Sequence, residues 1–258
     1  MPHYDFRTPR IYLDTPLAAG AEVPLGRDQA NHLGNVLRLA AGDAVLVFNG
    51  RDGEWGAELA GSAKRLAVRL DRQIRPQPES IDLDFLFAPL KHARLDYMVQ
   101  KAVELGVSRV RPVMTQHTQV TRINIERMRA NVVEAAQQCG VLNLAEVAEP
   151  VKLTALASHD SDRLLIFCDE DAEIADPVEA LRRVRPLPSA LVPDEALAPM
   201  AMAVLIGPEG GFSEDERSLL MKRPNIVRLS LGPLILRADT AAVAALTLVQ
   251  AALGTWRA

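Results

Sequence analysis

Two stretches near the C-terminus each run from apolar residues into glycine and then into a helical pattern: Leu205-Ile-Gly-Pro-Glu-Gly-Gly211 and Leu231-Gly-Pro-Leu-Ile-Leu-Arg-Ala-Asp-Thr240. Glycine between a strand and a helix serves a turn with positive φ or a close approach of backbone to ligand. Ser213 with Glu216 three residues on forms a capping box, which predicts a helix opening at Ser213. In an open parallel sheet such a loop lies beyond the carboxyl end of a strand, where ligands bind. The second stretch is broken by Gly232 and Pro233 and so is not a simple strand. It offers main-chain N–H and C=O groups beside Leu, Ile and Leu side chains, a surface suited to a flat heteroaromatic ring such as adenine. Neither stretch has a Gly-Lys-Ser/Thr ending or a Gly-x-Gly-x-x-Gly pattern, so the nucleotide fingerprints fail. Asp239 or Thr240 is expected to cap the final helix.

A boundary falls at Arg75-Pro-Gln-Pro-Glu79. It separates residues 1–74 from residues 80–258, with 75–79 as linker. Before it the pattern is of short strands. Ala44 to Phe48 leads into Asn49-Gly50 and Asp52-Gly53, a strong turn signal, and then into Glu54 to Leu59. Leu66 to Ile74 alternates as another strand. One helix is expected from Asp28 to Ala40, with Leu33, Val36, Leu37 and Ala40 on one face. This reads as a compact β-barrel module. Beyond the boundary, strands and helices alternate. Strands are expected at 81–88, 110–114, 164–168, 201–206 and 226–231, and helices through Leu95–Leu105, Ile125–Gln138 and Asp239–Leu253. Arg185 to Met200 holds four prolines and reads as a loop. The fold class is α/β with a mainly parallel sheet.

Several function classes are disfavoured. No apolar run is long enough to cross a bilayer, and the N-terminus lacks the apolar stretch of a signal peptide. Cys139 and Cys168 form neither a disulfide framework nor a metal cluster, which suits a reducing cytosol. No Gly-x-Ser-x-Gly context marks a hydrolase nucleophile. The net charge of -4 conceals a basic segment, Lys91 to Arg129, in which Lys91, Arg94, Lys101, Arg109, Arg111, Arg122, Arg127 and Arg129 face only Asp96, Glu104 and Glu126. Such an excess attracts phosphates.

The two glycine stretches resemble the bacterial 16S ribosomal RNA uridine-N3 methyltransferases, members of the SPOUT superfamily. Further segments agree along nearly the whole chain: His32-x-x-x-Val36-Leu-Arg38-Leu with Gly42-Asp43, Lys91 with Arg94, Gln100 to Val107, and Glu134 to Gly140. The chain departs from the family at Val141 and Leu234, where members carry Arg. It also has Ala145 in place of Pro and Asp239 in place of Glu. No RNA contact is carried over to Val141 or Leu234.

The resemblance implies an N-terminal PUA-like β-barrel at 1–74 that binds RNA. At 80–258 it implies a C-terminal α/β trefoil-knot (SPOUT) methyltransferase domain that forms a homodimer. Knots are nearly absent from folds, so only resemblance can suggest one. It implies S-adenosyl-L-methionine (SAM) as cofactor, with no metal, held by Leu205, Ile206, Gly207, Glu209, Gly210, Gly211, Ser230, Leu231, Gly232, Ile235 and Leu236, and with Cys168 and Asp169 nearby. The substrate that the resemblance implies is 16S rRNA within the 30S subunit, in the cytoplasm. Arg237 is the candidate for holding the uracil oxygens or the developing anion, and Glu209 for general base if burial raises its pKa; ion pairing of Arg237 with Asp239 or Glu209 is the alternative. Arg7, Arg10, His32, Arg38, Lys91, Arg94 and Lys101 are candidates for gripping RNA phosphates. A SPOUT enzyme acting on a ribose 2′-oxygen or another base, and a non-catalytic RNA-binding protein, are the competing readings.

Overall fold

A computed structural model of the chain describes residues 7–62, 65–91, 93–120, 122–158, 162–173, 175–184 and 200–257. They form two compact units, one of residues 1–79 with 136–144 and one of residues 80–135 with 145–258. The loop expected at Arg185 to Met200 lies, Met200 apart, outside the described residues.

The first unit contains β1 (Arg10–Tyr12), β2 (Glu22–Pro24), α1 (Arg27–Asn31), β3 (Ala44–Phe48), β4 (Glu54–Ser62) and β5 (Arg65–Arg75). They make one sheet in the order β1-β3-β4-β5-β2. Only the β1–β3 pair is parallel. Alternate residues of three strands (Val45 and Val47, Ala57 and Leu59, Val68 and Leu70) enter a core completed by Ile11, Leu13, Leu17 and Leu33. That is the two-residue period of a strand with one face inward. The turn at 49–53 forms as its residues predict. Gly50 and Gly53 take φ of 83° and 75°, and the buried Asn49 accepts the N–H groups of Arg51 and Asp52 on one side-chain oxygen.

The helix expected over Asp28–Ala40 is shorter and changes pitch. After α1 the chain continues as a π-helix, His32–Val36, closed by the Leu37 N–H on the carbonyl of His32 at 2.9 Å. The wider turn carries Val36 and Leu37 off the face of Leu33. Leu33 is fully buried, whereas Val36 and Leu37 are 62% and 41% exposed. Gly34 allows the close approach to β5, since a Cβ there would lie 3.1 Å from Leu66 Cδ1.

The second unit runs β6 (Leu83–Phe87), α2 (Ala93–Glu104), β7 (Arg109–Met114), α3 (Ile125–Cys139), β8 (Glu146–Val147), β9 (Val151–Lys152), α4 (Leu153–Ser158), β10 (Leu164–Cys168), α5 (Pro177–Val184), β11 (Met202–Ile206), α6 (Glu214–Leu220), β12 (Ile226–Leu229) and α7 (Ala238–Ala252). The last residues of α3, from 136, group with the first unit. The sheet order is β12-β10-β11-β6-β7-β8, with β9 also on β7. Every pair is parallel. All five residues of β6, β10 and β11 are buried, which is why these strands read as continuous apolar runs rather than alternating ones. On α2, Leu95, Met98, Val99, Ala102 and Val103 are buried, and Gly106 stops the helix at φ 78°. No helix among the described residues is long and apolar enough to cross a membrane.

Register places the functional edge. Cys168 pairs with both Ile206 and Leu229, and Ile206 with Phe87. The carboxyl ends of β10, β11, β12 and β6 therefore lie in line, and the loops that follow them leave the sheet together.

Candidate active site

The first glycine stretch leaves β11 through a turn in which the Gly211 N–H donates to the carbonyl of Pro208 at 3.0 Å. Three glycines meet three different neighbours. A Cβ on Gly207 would lie 2.5 Å from the Phe212 ring; one on Gly211 would meet Glu170 Oε1 at 2.1 Å; one on Gly210 would lie 3.3 Å from His117 Cβ. Gly211 also takes φ 68°. Phe212 is buried edge-on against Phe167, with ring centroids 4.9 Å apart. Ser213 is the N-cap of α6, and the capping box with Glu216 forms as expected. The second Glu216 oxygen accepts the Gln116 N–H at 2.7 Å, so the loop after β7 is tied to the same helix end.

The second stretch behaves differently. Gly232 takes φ 105° with nothing within 4 Å of where its Cβ would be, so its backbone faces open space. Its N–H donates to Ser230 Oγ at 3.3 Å. Leu234 and Ile235 are 76% and 93% exposed, while Leu231 and Leu236 are half-buried. An open glycine backbone flanked by uncovered aliphatic side chains fits the binding of a flat ring between main-chain groups and an apolar clamp. Leu205 and Ile206 are buried within β11. A separate cavity of about 600 Å³, lined by Met114, Lys152, Thr154, Ser218 and Lys222 among others, includes none of the residues predicted to hold cofactor.

Beneath the edge lies a charge cluster that composition and spacing do not reveal. Asp169, at the end of β10, is buried with its side chain closed to solvent. It accepts Arg217 Nε at 3.1 Å and Arg228 Nε at 2.7 Å. Arg217, on α6, also reaches Glu170 and Asp171, each at 2.8 Å. Two arginines thus pair with the acidic run and lash α6 and β12 to β10. The sequence marks the acidic run Asp169 to Glu173 at the end of a buried strand, but not the arginines that meet it. His117 completes this side, with Nδ1 3.0 Å from the Gly211 carbonyl; nothing in the one-dimensional pattern points to it. Burial, with Asp169 next to it, pushes the Cys168 thiol up to about 12, so it is no nucleophile at neutral pH.

The predicted catalytic residues fall as follows. Glu209 is an ion-pair partner of Arg94, and the two side chains are 49% and 44% exposed. The burial that would make it a tuned base is not there. Arg237 is 62% exposed and lies 3.8 Å from Asp239. It is the N-cap residue of α7. The expected capping by Asp239 or Thr240 is therefore corrected: the N-cap is Arg237, two residues before Asp239 and three before Thr240, and Asp239 accepts the Thr240 N–H, within the first turn, at 3.1 Å.

Among the phosphate candidates, Arg7, His32, Arg38 and Lys91 are exposed. Lys101 is held by Glu104 at 2.7 Å and lies over the Tyr97 ring. Arg10 is a correction. Its side chain is only 5% exposed and pairs with the buried Glu54 at 2.5 Å, and Arg75 pairs with the same carboxylate at 2.6 Å. The two arginines also donate to the carbonyls of Gln137 and Gly140, at 3.2 and 3.1 Å. These carbonyls end α3, where a helix leaves acceptors unpaired. Arg10 is a structural clamp and presents no charge to a ligand.

Comparison with known proteins agrees with this arrangement. The family model described as RNA methyltransferase domain matches residues 77–250, and that described as RNA methyltransferase PUA domain matches residues 25–71. Ribosomal RNA small subunit methyltransferase E of Rickettsia conorii is 30% identical, over 93% of this chain and 94% of that protein. The Synechocystis protein of the same description is 28% identical, over 90% and 74%. A Legionella pneumophila protein solved with bound SAM superposes with a TM-score of 0.78 at 30% identity, covering 95% of this chain and 98% of that one. The Neisseria gonorrhoeae ribosomal RNA small subunit methyltransferase E shares the fold, with a TM-score of 0.75 at 24% identity over 95% and 97%. With a small mixed sheet, a parallel sheet whose glycine turns follow the two strands that flank β10, and a match to both models, the chain belongs to the RNA methyltransferase family that includes these ribosomal RNA small subunit enzymes.

Proposed function

We propose that the chain is a SAM-dependent methyltransferase acting on N3 of a uridine in 16S rRNA, within the 30S subunit. The reading extends to a homodimer in the cytoplasm, a PUA-like RNA-binding domain at 1–74 with a linker at 75–79, and a trefoil-knotted catalytic domain at 80–258. The observation that carries it is the pair of glycine turns leaving aligned strand ends of one parallel sheet, in a chain whose relatives act on small-subunit rRNA. SAM would lie on the main chain of 205–211 and 230–236, with Leu231, Ile235 and Leu236 as its apolar cover. When bound, it supplies a methyl group already activated on a sulfonium.

The chain's own residues then have to orient the base and stabilise charge. Uracil N3 carries an imide proton; its loss leaves an anion spread over N3 and the flanking oxygens. Arg237 is exposed and only loosely paired, so its guanidinium is available to donate to those oxygens. Glu209, in the loop at 207–211, is the carboxylate proposed to take that proton. Its ion pair with Arg94 favours a second role, holding the loop after β11 against the start of α2.

The test is methyl transfer to 16S RNA and to 30S particles, with the modified nucleoside identified by mass. A product other than 3-methyluridine overturns the target assignment and keeps the enzyme class; no SAM binding by calorimetry overturns both. Arg237→Ala is expected to bind SAM as the wild type does and to lose methyl transfer by roughly a hundredfold or more. Retained activity in that variant refutes its role.

A further inference from the structure

The first unit carries an exposed tip that its basic residues alone do not explain. The π-helix ends at Val36, and Arg38 then takes φ 57°, the one positive φ outside glycine among the described residues. The Leu39 N–H closes on the Leu33 carbonyl at 2.9 Å. This is a helix end that normally places glycine where Arg38 stands. An arginine there is strained, and strain that the surroundings maintain marks functional positions. The tip is anchored on both sides. Leu33 is buried before it; after it, Asp43 accepts the Ala40 N–H at 2.7 Å, and Gly42 and Asp43 pair with Leu59 at 2.8 Å. On this rigid base Val36 and Leu37 point into solvent, 62% and 41% exposed, next to the exposed His32 and Arg38. In the same unit a groove of about 1070 Å³ is lined by Arg27, Asn31, Asn35, Glu22, Ser62 and Arg65 among others.

A single exposed aliphatic residue needs no explanation. Two in succession, held out by an altered helical pitch and followed by a strained arginine, call for a ligand that is flat and apolar on one part and anionic on another. Single-stranded or looped RNA has both. We propose that Val36 and Leu37 pack on the face of an unstacked base of the substrate RNA, while Arg38 holds an adjacent phosphate. This rests on the reading of the chain as an rRNA methyltransferase and assigns the tip a non-electrostatic share of RNA recognition.

Salt separates the two kinds of contact, because only a phosphate contact releases counterions. Binding of a 16S RNA fragment to the full-length protein is measured across a series of KCl concentrations. The Val36→Ser/Leu37→Ser variant is expected to bind about tenfold more weakly at every salt concentration, with the slope of log affinity on log salt unchanged. Arg38→Gly is expected to melt at or above the wild-type temperature, because the strained φ is relieved, and to lower that slope by about 0.7. Wild-type affinity in the serine variant overturns the proposal. So does a serine variant that keeps RNA affinity but sediments as a smaller assembly, which would place a second copy of the chain over the tip. If the wild-type protein itself neither binds nor methylates small-subunit RNA, the functional reading fails first; if it does both and the serine variant matches it, the tip alone fails.

Discussion

At Gly207 a one-methyl perturbation of the candidate site meets a rigid neighbour. A Cβ there would lie 2.5 Å from Phe212 Cε2 and 3.0 Å from Cδ2 and Cζ. Carbon atoms rest about 3.5–4.0 Å apart, so ring and loop would have to separate by roughly 1 Å. The ring has little room to yield. It is 3% exposed, lies at 80° to Phe167, and packs in a core with Leu205 and Leu220. Overfilling such a core costs about 1–3 kcal/mol. For a chain of this size Gly207→Ala should then lower Tm by roughly 2–12 °C. The same displacement moves the loop at 207–211, and SAM affinity by titration calorimetry should fall about tenfold or more. The control is Phe212→Leu, which removes the clashing ring atoms. In that background Gly207→Ala should cost less than about 0.5 kcal/mol. An equal cost in both backgrounds would refute the argument, because the ring could not then be what forbids a side chain.

Glu54 makes the first unit sensitive to acid in a defined direction. Burial opposes its charge, but hydrogen bonds from Arg75 and Arg10, and their charges, hold its pKa below the usual glutamate value of about 4.5. The unfolded chain therefore takes up this proton more readily than the folded one. The stabilisation is complete above about 4.5 and is lost as pH falls through the depressed folded value. Glu54→Gln should cost roughly 3 kcal/mol at pH 7 and flatten the dependence of unfolding free energy on pH in that acid window; a variant with wild-type acid sensitivity contradicts the assignment. Cys168, buried and with its thiol pushed up to about 12, should react with an aromatic disulfide reagent only once the protein is unfolded. Rapid labelling of Cys168 in the native protein would show that the end of β10 is open.

Which parts of the fold could be read in one dimension follows from how local their causes are. Ser213 and Glu216 cap α6 across one turn of chain, and the turn at 49–53 is built by Asn49, Asp52 and two glycines acting on their own neighbours. The buried strands β10 and β11 declare themselves by continuous apolar runs. The two-residue strands β8 and β9 have no period to read. The helix from Asp28 misleads because the pattern assumes a constant pitch, and the π-turn at His32–Val36 breaks it. Arg10 misleads because a cation at the start of a short strand looks like any other until the sheet brings Glu54 beside it, 44 residues away.

The sequence by itself determined the α/β class and the two glycine turns, because strand period, cap chemistry and backbone freedom act over a few residues; that residues 136–144 group with the first unit was not legible in it. Tertiary structure alone decided what those turns require. Phe212 crowds Gly207, the positive φ of Gly211 favours glycine beside Glu170, and His117 packs close to Gly210; His117, Glu170 and Asp169 come from loops distant in the chain. Tertiary structure also separated the arginines by role: Arg10 and Arg75 satisfy a buried carboxylate and a helix end, Arg217 and Arg228 satisfy Asp169, and Arg237 and Arg38 remain exposed. All carry the same charge. Only the distance to a buried carboxylate distinguishes an arginine that supports the fold from one that can meet a ligand, and that distance is set by strand pairing and helix packing across the chain.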